Sequence, residues 1–188
     1  MTKVILVHGF NVRDGGKGTV DKLAPYLIKA GYYCDIDEAD YGFLGLLAVR
    51  LRKFSAVRRI ATALDTADVV ITHSNGANFA NKALKLREFH DQRYKVVSLS
   101  PALNSKARVP KNVEKGFVYY TRNDFWVWVS GFIPFHPWGR QGWHGYRGDD
   151  PRVVNRDCSD LIKSHSDWFA DENIEFIADE IILSLEAS

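Results

Sequence analysis

The stretch VVITHSNGANFA, residues 69–80, joins an apolar run to a segment of small residues suited to a helix. The β-branched run from Val69 to Thr72 predicts a buried strand, which breaks at His73-Ser74-Asn75-Gly76. A serine at a sharp turn between a strand and a helix can expose its hydroxyl, but Ser-x-Gly also occurs at ordinary helix N-termini. The rest of the chain therefore decides what Ser74 does.

Strand and helix patterns alternate along the chain. Short apolar runs predict strands at 4–7, 32–36, 69–72, 95–99 and 116–120. Apolar residues at helical spacing lie between them, and a long amphipathic pattern from Ile174 to Leu185 closes the chain. Repeated strand and helix units predict an α/β fold, with a mainly parallel central sheet flanked by helices on both faces.

Composition narrows the class of protein. A chain of 188 residues with 46% apolar and 26% charged residues fits one domain, and a net charge of +2 does not indicate a nucleic-acid partner. Cys34 and Cys158 lack metal-site spacing and are interpreted as free thiols in a reducing compartment. No apolar stretch is long enough for a transmembrane segment, so we expect a cytoplasmic protein.

Cofactor signatures are weak. The glycine-rich string RDGGKGT, residues 13–19, does not match the phosphate-binding loop pattern. That pattern requires glycine at position 11 and serine or threonine at position 18, and this chain has Asn11 and Gly18 there. His136, His144 and Asp149 do not have metal-ligand spacing. We therefore expect neither a cofactor nor a metal.

Residues whose side chains or backbone could take part in catalysis or binding follow several predicted strands. Ligands of parallel sheets bind at the carboxyl ends of the strands, where these residues would gather. The four groups are His8-Gly9-Phe10, His73-Ser74-Asn75, Ser100-Pro101-Ala102 and Asn123-Asp124.

Two of these groups resemble motifs of the α/β-hydrolase superfamily. Ser74 and Gly76 match the nucleophile and second glycine of its G-x-S-x-G elbow, while Thr72 replaces the first glycine. VILVHGF, residues 4–10, is similar to the strand and His-Gly loop that supply one oxyanion-hole amide. The resemblance implies a compact, single α/β-hydrolase domain over residues 1–188, without the superfamily's first strands.

The superfamily's order of nucleophile, acid and histidine is also present. Asp124 follows a late strand in VYYTRNDFWV, and His165 precedes the last helix in KSHSDWF. The resemblance implies a triad of Ser74, Asp124 and His165, with the backbone amides of Phe10 and Asn75 as the oxyanion hole. Rival acids and histidines remain in the same interval: Asp149, Asp150, Asp157, His136 and His144.

An aromatic segment separates the acid from the histidine. Residues 125–148 hold four of the five tryptophans: Trp126, Trp128, Trp138 and Trp143. Because superfamily insertions near the acid often cover the active site, we interpret residues 125–150 as a lid-like loop whose tryptophans line a substrate pocket. The alternative is an aromatic-rich packed loop.

The resemblance implies a serine hydrolase acting on a small-molecule ester or acyl substrate through an acyl-enzyme. Carboxylic esters of small or medium size are the expected substrates. Thioester and amide hydrolysis use the same triad and stay open. A non-catalytic binding protein that retains the fold is a further alternative, suggested by Thr72 and the short core.

Overall fold

The computed structural model describes residues 1–9, 12–42, 46–132 and 138–187. Within these ranges the core is a six-stranded sheet in the order β2-β1-β3-β4-β5-β6, and every neighbouring pair is parallel. This confirms the predicted parallel sheet. The strands are β1 (Lys3–Val7), β2 (Tyr33–Asp35), β3 (Val69–His73), β4 (Tyr94–Leu99), β5 (Val113–Tyr120) and β6 (Val153–Asp157).

Helices cover both faces of the sheet, as the alternating side chains of β1 show. Val4 and Leu6 pack in one apolar cluster with residues of α1 and α6, while Ile5 and Val7 pack in a second cluster with residues of α2 and α3. Such burial on both sides explains the continuous apolar runs of the central strands. The helices are α1 (Ala24–Lys29), α2 (Leu46–Ala63), α3 (Gly76–Leu86), α4 (Phe125–Ser130), α5 (Gln141–His144) and α6 (Ile174–Glu186).

Strand order places the ends of β1 and β3 side by side. Val7 lies in register with Thr72, so the residues that follow them leave the sheet at the same edge. The connections on the two sides of this strand pair run in opposite directions along the sheet, because β2 lies beyond β1 and β4 lies beyond β3. Ligands bind at such a switch point in parallel sheets.

The structure differs from the sequence expectations at the C-terminal part of the sheet. β6 was not predicted, and β5 begins at Val113, three residues before the expected Gly116. The aromatic segment contains α4 and α5 rather than one loop. No helix in the described ranges is long and apolar enough to cross a membrane.

Both cysteines are free thiols, as predicted. Burial raises the pKa of Cys34 and of Cys158 to about 11. Neither thiol is therefore an ionised nucleophile at neutral pH.

Asp21 is a half-buried carboxyl that weakens the fold at neutral pH. Its Oδ1 is buried without a hydrogen-bond partner among the described residues, and burial followed by the charges of Asp40 and Asp14 raises its pKa from 3.8 to about 7. Between these two values the folded state binds more protons than the unfolded state, so stability falls as pH rises from about 4 to about 7.

Replacing Asp21 by asparagine is therefore expected to raise the free energy of unfolding at about pH 8 by about 1–3 kcal/mol, less than the full pKa shift implies, because solvent screens a half-buried carboxyl. The gain should nearly vanish below about pH 4, where the carboxyl is neutral in both states. Urea unfolding at the two pH values measures it, with the exposed Asp91→Asn as control. A loss of stability at pH 8 would contradict the assignment.

Candidate active site

Ser74 occupies a strained turn between β3 and α3. Its φ is +53°, in the left-handed region that residues with a side chain rarely adopt. Backbone hydrogen bonds tie the turn to the neighbouring strand and the loop after it, from Ser74 N to Leu99 O at 3.0 Å and from Ala102 N to Ser74 O at 3.0 Å. Strain of this kind costs on the order of 1–3 kcal/mol and persists where neighbouring structure enforces it, often at functional sites.

Glycine is required where α3 begins. A Cβ at Gly76 would lie 2.4 Å from the carbonyl oxygen of His8 and 2.5 Å from that of Val7. A Cβ at Gly9 would lie 3.0 Å from Cβ of Ser74. The two glycines therefore let the end of β1 pass directly beside the serine turn.

Gly76→Ala is expected to lower the free energy of unfolding by about 3 kcal/mol or more, because the added methyl meets backbone that cannot rotate away. Gly116→Ala in β5 is the matched control, since its Cβ would meet Cγ2 of Val153 at an ordinary 3.5 Å. Urea unfolding compares the two variants. Equal stability of Gly76→Ala and the unchanged chain would contradict the close packing.

Thr72 fits the position that glycine occupies in the elbow motif. The residue is fully buried, and its Oγ1 donates to the carbonyl oxygen of Val97 at 3.3 Å and contacts Oγ of Ser98 at 3.0 Å. Its polar group is thus satisfied within the sheet. The departure from the motif does not disturb the turn at Ser74.

Asp124 and His165 form a short hydrogen bond at the same edge of the sheet. Nδ1 of His165 donates to Oδ2 of Asp124 at 2.6 Å, and the carboxylate is fully buried while the His165 side chain is 20% exposed. The second oxygen, Oδ1, accepts from the backbone N–H of Val127 at 2.9 Å and caps α4. With Nδ1 holding the proton, Nε2 of His165 is left as a base.

His73 connects this pair to the serine turn. Its ring lies 4.6 Å from the ring of His165, and its Nε2 contacts the carbonyl oxygen of His165 at 3.3 Å. Burial, followed by the charge of His165, holds the pKa of His73 well below its usual range, so His73 remains neutral. His165 therefore lies beside the residue that precedes Ser74.

Ser74 Oγ is not hydrogen-bonded to His165 in the described part of the chain. In hydrolases, the serine and its base often make this bond only when substrate is present. The structure brings Ser74, Asp124 and His165 to one edge and joins two of them directly.

Asn75, whose backbone amide is one of the two predicted for the oxyanion hole, directly follows Ser74. It lies directly before α3, where the N–H groups of a helix have no intrahelical acceptors. Its side chain is buried, and Oδ1 accepts from Nε1 of Trp138 at 2.7 Å. The other predicted amide, that of Phe10, lies outside the described residues.

The rival acids and histidines have other partners or lie elsewhere. Asp150 pairs with Arg152 at 2.6 Å, and Asp157 accepts from the hydroxyl of Tyr120 at 3.1 Å. His144 contacts a backbone carbonyl through Nδ1, Asp149 is exposed, and His136 lies outside the described residues.

The four tryptophans of the aromatic segment are dispersed. Trp138 reaches Asn75, whereas Nε1 of Trp143 donates to the carbonyl oxygen of Arg122 at 2.8 Å. Trp126 and Trp128 are 67% and 36% exposed on α4, where they contact other aromatic rings. Of these four, Trp138 is the tryptophan that contacts a residue next to Ser74.

Sequence reasoning did not identify Ser100 as a second strained serine. It follows β4 with a φ of +41°, is fully buried, and its Oγ accepts from Nε1 of Trp168 at 2.9 Å. Unlike Ser74, its hydroxyl has a fixed structural partner and no access to solvent. No pattern in the sequence distinguishes the two serines in this respect.

Comparison with known proteins gives structural matches alone. No protein-family model and no curated protein matches the chain. A solved structure from Thermoplasma acidophilum, of a protein described as a CIB-like hydrolase by prediction, matches with a TM-score of 0.50 and 15% identity, over 97% of this chain and 86% of that one.

A second solved structure comes from Xanthomonas campestris pv. campestris and is assigned to the α/β-hydrolase superfamily. It matches with a TM-score of 0.48 and 18% identity, over 98% of this chain and 99% of that one. Identities this low concern the fold alone. With its six parallel strands and the strained serine turn after β3, the chain has the α/β-hydrolase fold.

Proposed function

We propose that this protein is a serine hydrolase that cleaves carboxylic esters through an acyl-enzyme on Ser74. The observation that carries the proposal is the 2.6 Å hydrogen bond between His165 and the buried Asp124, at the edge of the sheet that also holds the strained Ser74. A histidine fixed by a carboxylate, at the sheet edge that also holds a serine in a strained turn, is the arrangement that activates a hydroxyl.

In the first half of the reaction, Nε2 of His165 takes the proton of Ser74 as Oγ attacks the ester carbonyl carbon. Asp124 accepts from Nδ1, keeps the imidazole in the correct tautomer and stabilises the imidazolium. The C–O bond to the alcohol then breaks, and His165 protonates the leaving oxygen. Ser74 is left acylated.

In the second half, His165 takes a proton from water, and the resulting hydroxide attacks the acyl carbon. The bond to Ser74 Oγ breaks, Oγ recovers the proton from His165, and the carboxylic acid leaves. No cofactor is needed for either half.

The tetrahedral intermediates carry negative charge on the former carbonyl oxygen. We assign its stabilisation to the backbone amides of Asn75 and Phe10, each of which would contribute a few kcal/mol. Trp138 is the tryptophan assigned to the wall of the acyl site, since it is hydrogen-bonded to Asn75.

A matched panel of substrates tests the reaction class. p-Nitrophenyl esters, thioesters and p-nitroanilides with the same acyl groups should all depend on Ser74, with the esters cleaved fastest. If the thioester or the anilide were cleaved faster than the ester, the assigned activity would be that of a thioesterase or an amidase instead of an esterase. Absence of turnover and of labelling by a serine-directed phosphonate would favour a non-catalytic protein.

A further inference from the structure

Helix α4 and the turn that follows it present aromatic side chains to solvent. Phe125, Trp126, Trp128 and Phe132 are 60%, 67%, 36% and 59% exposed. Neighbouring rings contact one another, with centroid separations of 5.9 Å between Phe125 and Trp126 and 5.3 Å between Trp128 and Phe132. We call these four residues the aromatic face.

These four side chains do not pack in the hydrophobic core. Single exposed apolar residues are ordinary on protein surfaces, but contiguous aromatic residues mark an interaction surface. The aromatic face lies outside both buried clusters, and Val127 is the residue of α4 that is buried. The face is therefore available to a partner.

A positive charge lies beside the aromatic face. In the sequence, residues 125–148 contain no aspartate or glutamate, and Arg140 is the charged residue that contacts the face. The guanidinium of Arg140 lies 3.7 Å from the ring centroid of Phe132. Tryptophan and phenylalanine beside arginine suit the boundary between lipid headgroups and acyl chains, and the positive charge favours anionic headgroups.

The size of the face argues against a second copy of the chain as its partner. A six-residue helix is roughly 9 Å long, whereas a stable interface buries about 800 Å² on each side. In a symmetric dimer, Arg140 of each copy would also lie at the contact, so two positive charges would meet in the interface.

We propose that the aromatic face docks on an anionic lipid surface. Docking stands independently of the proposed hydrolase function. Its consequence for catalysis rests on that function: Asp124 caps the start of α4 through one oxygen and holds His165 through the other, so an apolar ester at the lipid surface would lie close to the proposed triad.

The test is binding of the intact chain to vesicles of phosphatidylglycerol mixed with phosphatidylcholine, followed by flotation and by the tryptophan emission maximum. We expect binding with a shift to shorter wavelength, weaker binding to phosphatidylcholine alone, and weakening by about 0.5 M salt through charge screening. The double variant Phe125→Ser, Trp126→Ser should weaken binding by about tenfold or more. Arg140→Gln should reduce the preference for the anionic vesicles.

Phe89→Ser is the matched control, because Phe89 is 96% exposed beyond the end of α3. It should bind vesicles as the unchanged chain does, and thermal unfolding should show that all variants are folded. Absence of vesicle binding, or equal binding by the double variant, would overturn the proposal. So would a dimer in sedimentation that the double variant dissociates, since the face would then be covered by a second copy.

Discussion

Ser74→Ala is expected to lower ester turnover by roughly 10⁴- to 10⁶-fold, because the acyl-enzyme can no longer form. Alanine is smaller than serine and can adopt the same backbone φ at this position, so the fold should be retained. Initial rates on a p-nitrophenyl ester, together with urea unfolding, separate loss of chemistry from loss of structure.

Ser100→Ala is the matched control for this variant. Ser100 also follows a strand and also has a positive φ, but its hydroxyl accepts from Trp168 in the core. Its replacement should reduce stability by about 1 kcal/mol through the lost hydrogen bond and leave turnover near that of the unchanged chain. If Ser100→Ala were inactive and Ser74→Ala active, the nucleophile would be misassigned.

Asp124→Asn is expected to lower turnover by about 10⁴-fold while preserving the fold. Asparagine has one acceptor oxygen, and the N–H of Val127 at the start of α4 already requires it. The side-chain NH₂ would then face Nδ1 of His165 and donate to it. That exchange moves the imidazole proton to Nε2, which can no longer accept the proton of Ser74.

Asp157→Asn tests the choice of acid. Asp157 lies at the end of the edge strand β6 and accepts from Tyr120 and Ser159, so its replacement should leave turnover nearly unchanged. Steady-state rates of the two variants across pH provide the comparison. If turnover fell strongly in Asp157→Asn and not in Asp124→Asn, the catalytic acid would be Asp157 at the end of β6.

The central strands could be predicted because their apolar runs are local and buried on both faces. β6 could not, since Val153–Asp157 is half-buried or exposed and mostly polar, and its pairing with β5 places it in the sheet. The early start of β5 was hidden by Glu114 and Lys115, which interrupt the apolar pattern. Both misses are cases in which neighbouring strands override local pattern.

In the candidate site, the residue types after the strands indicated where Ser74 and Asp124 would lie. The sequence did not indicate that His73 packs against His165 or that Trp138 binds Asn75. These contacts depend on how loops distant in sequence fold over the sheet edge. The exposure of Trp126 and Trp128 likewise follows from the helical form of the segment, which the aromatic composition had concealed.

The most direct test of the account is mass spectrometry of the intact chain after reaction with a fluorophosphonate, followed by peptide mapping. Ser74 should carry one adduct, and labelling should slow sharply in Asp124→Asn and His165→Ala, because the hydroxyl reacts only when the base is in place. An unlabelled chain that is correctly folded, or an adduct on another residue, would contradict the claim that Ser74 is the activated nucleophile.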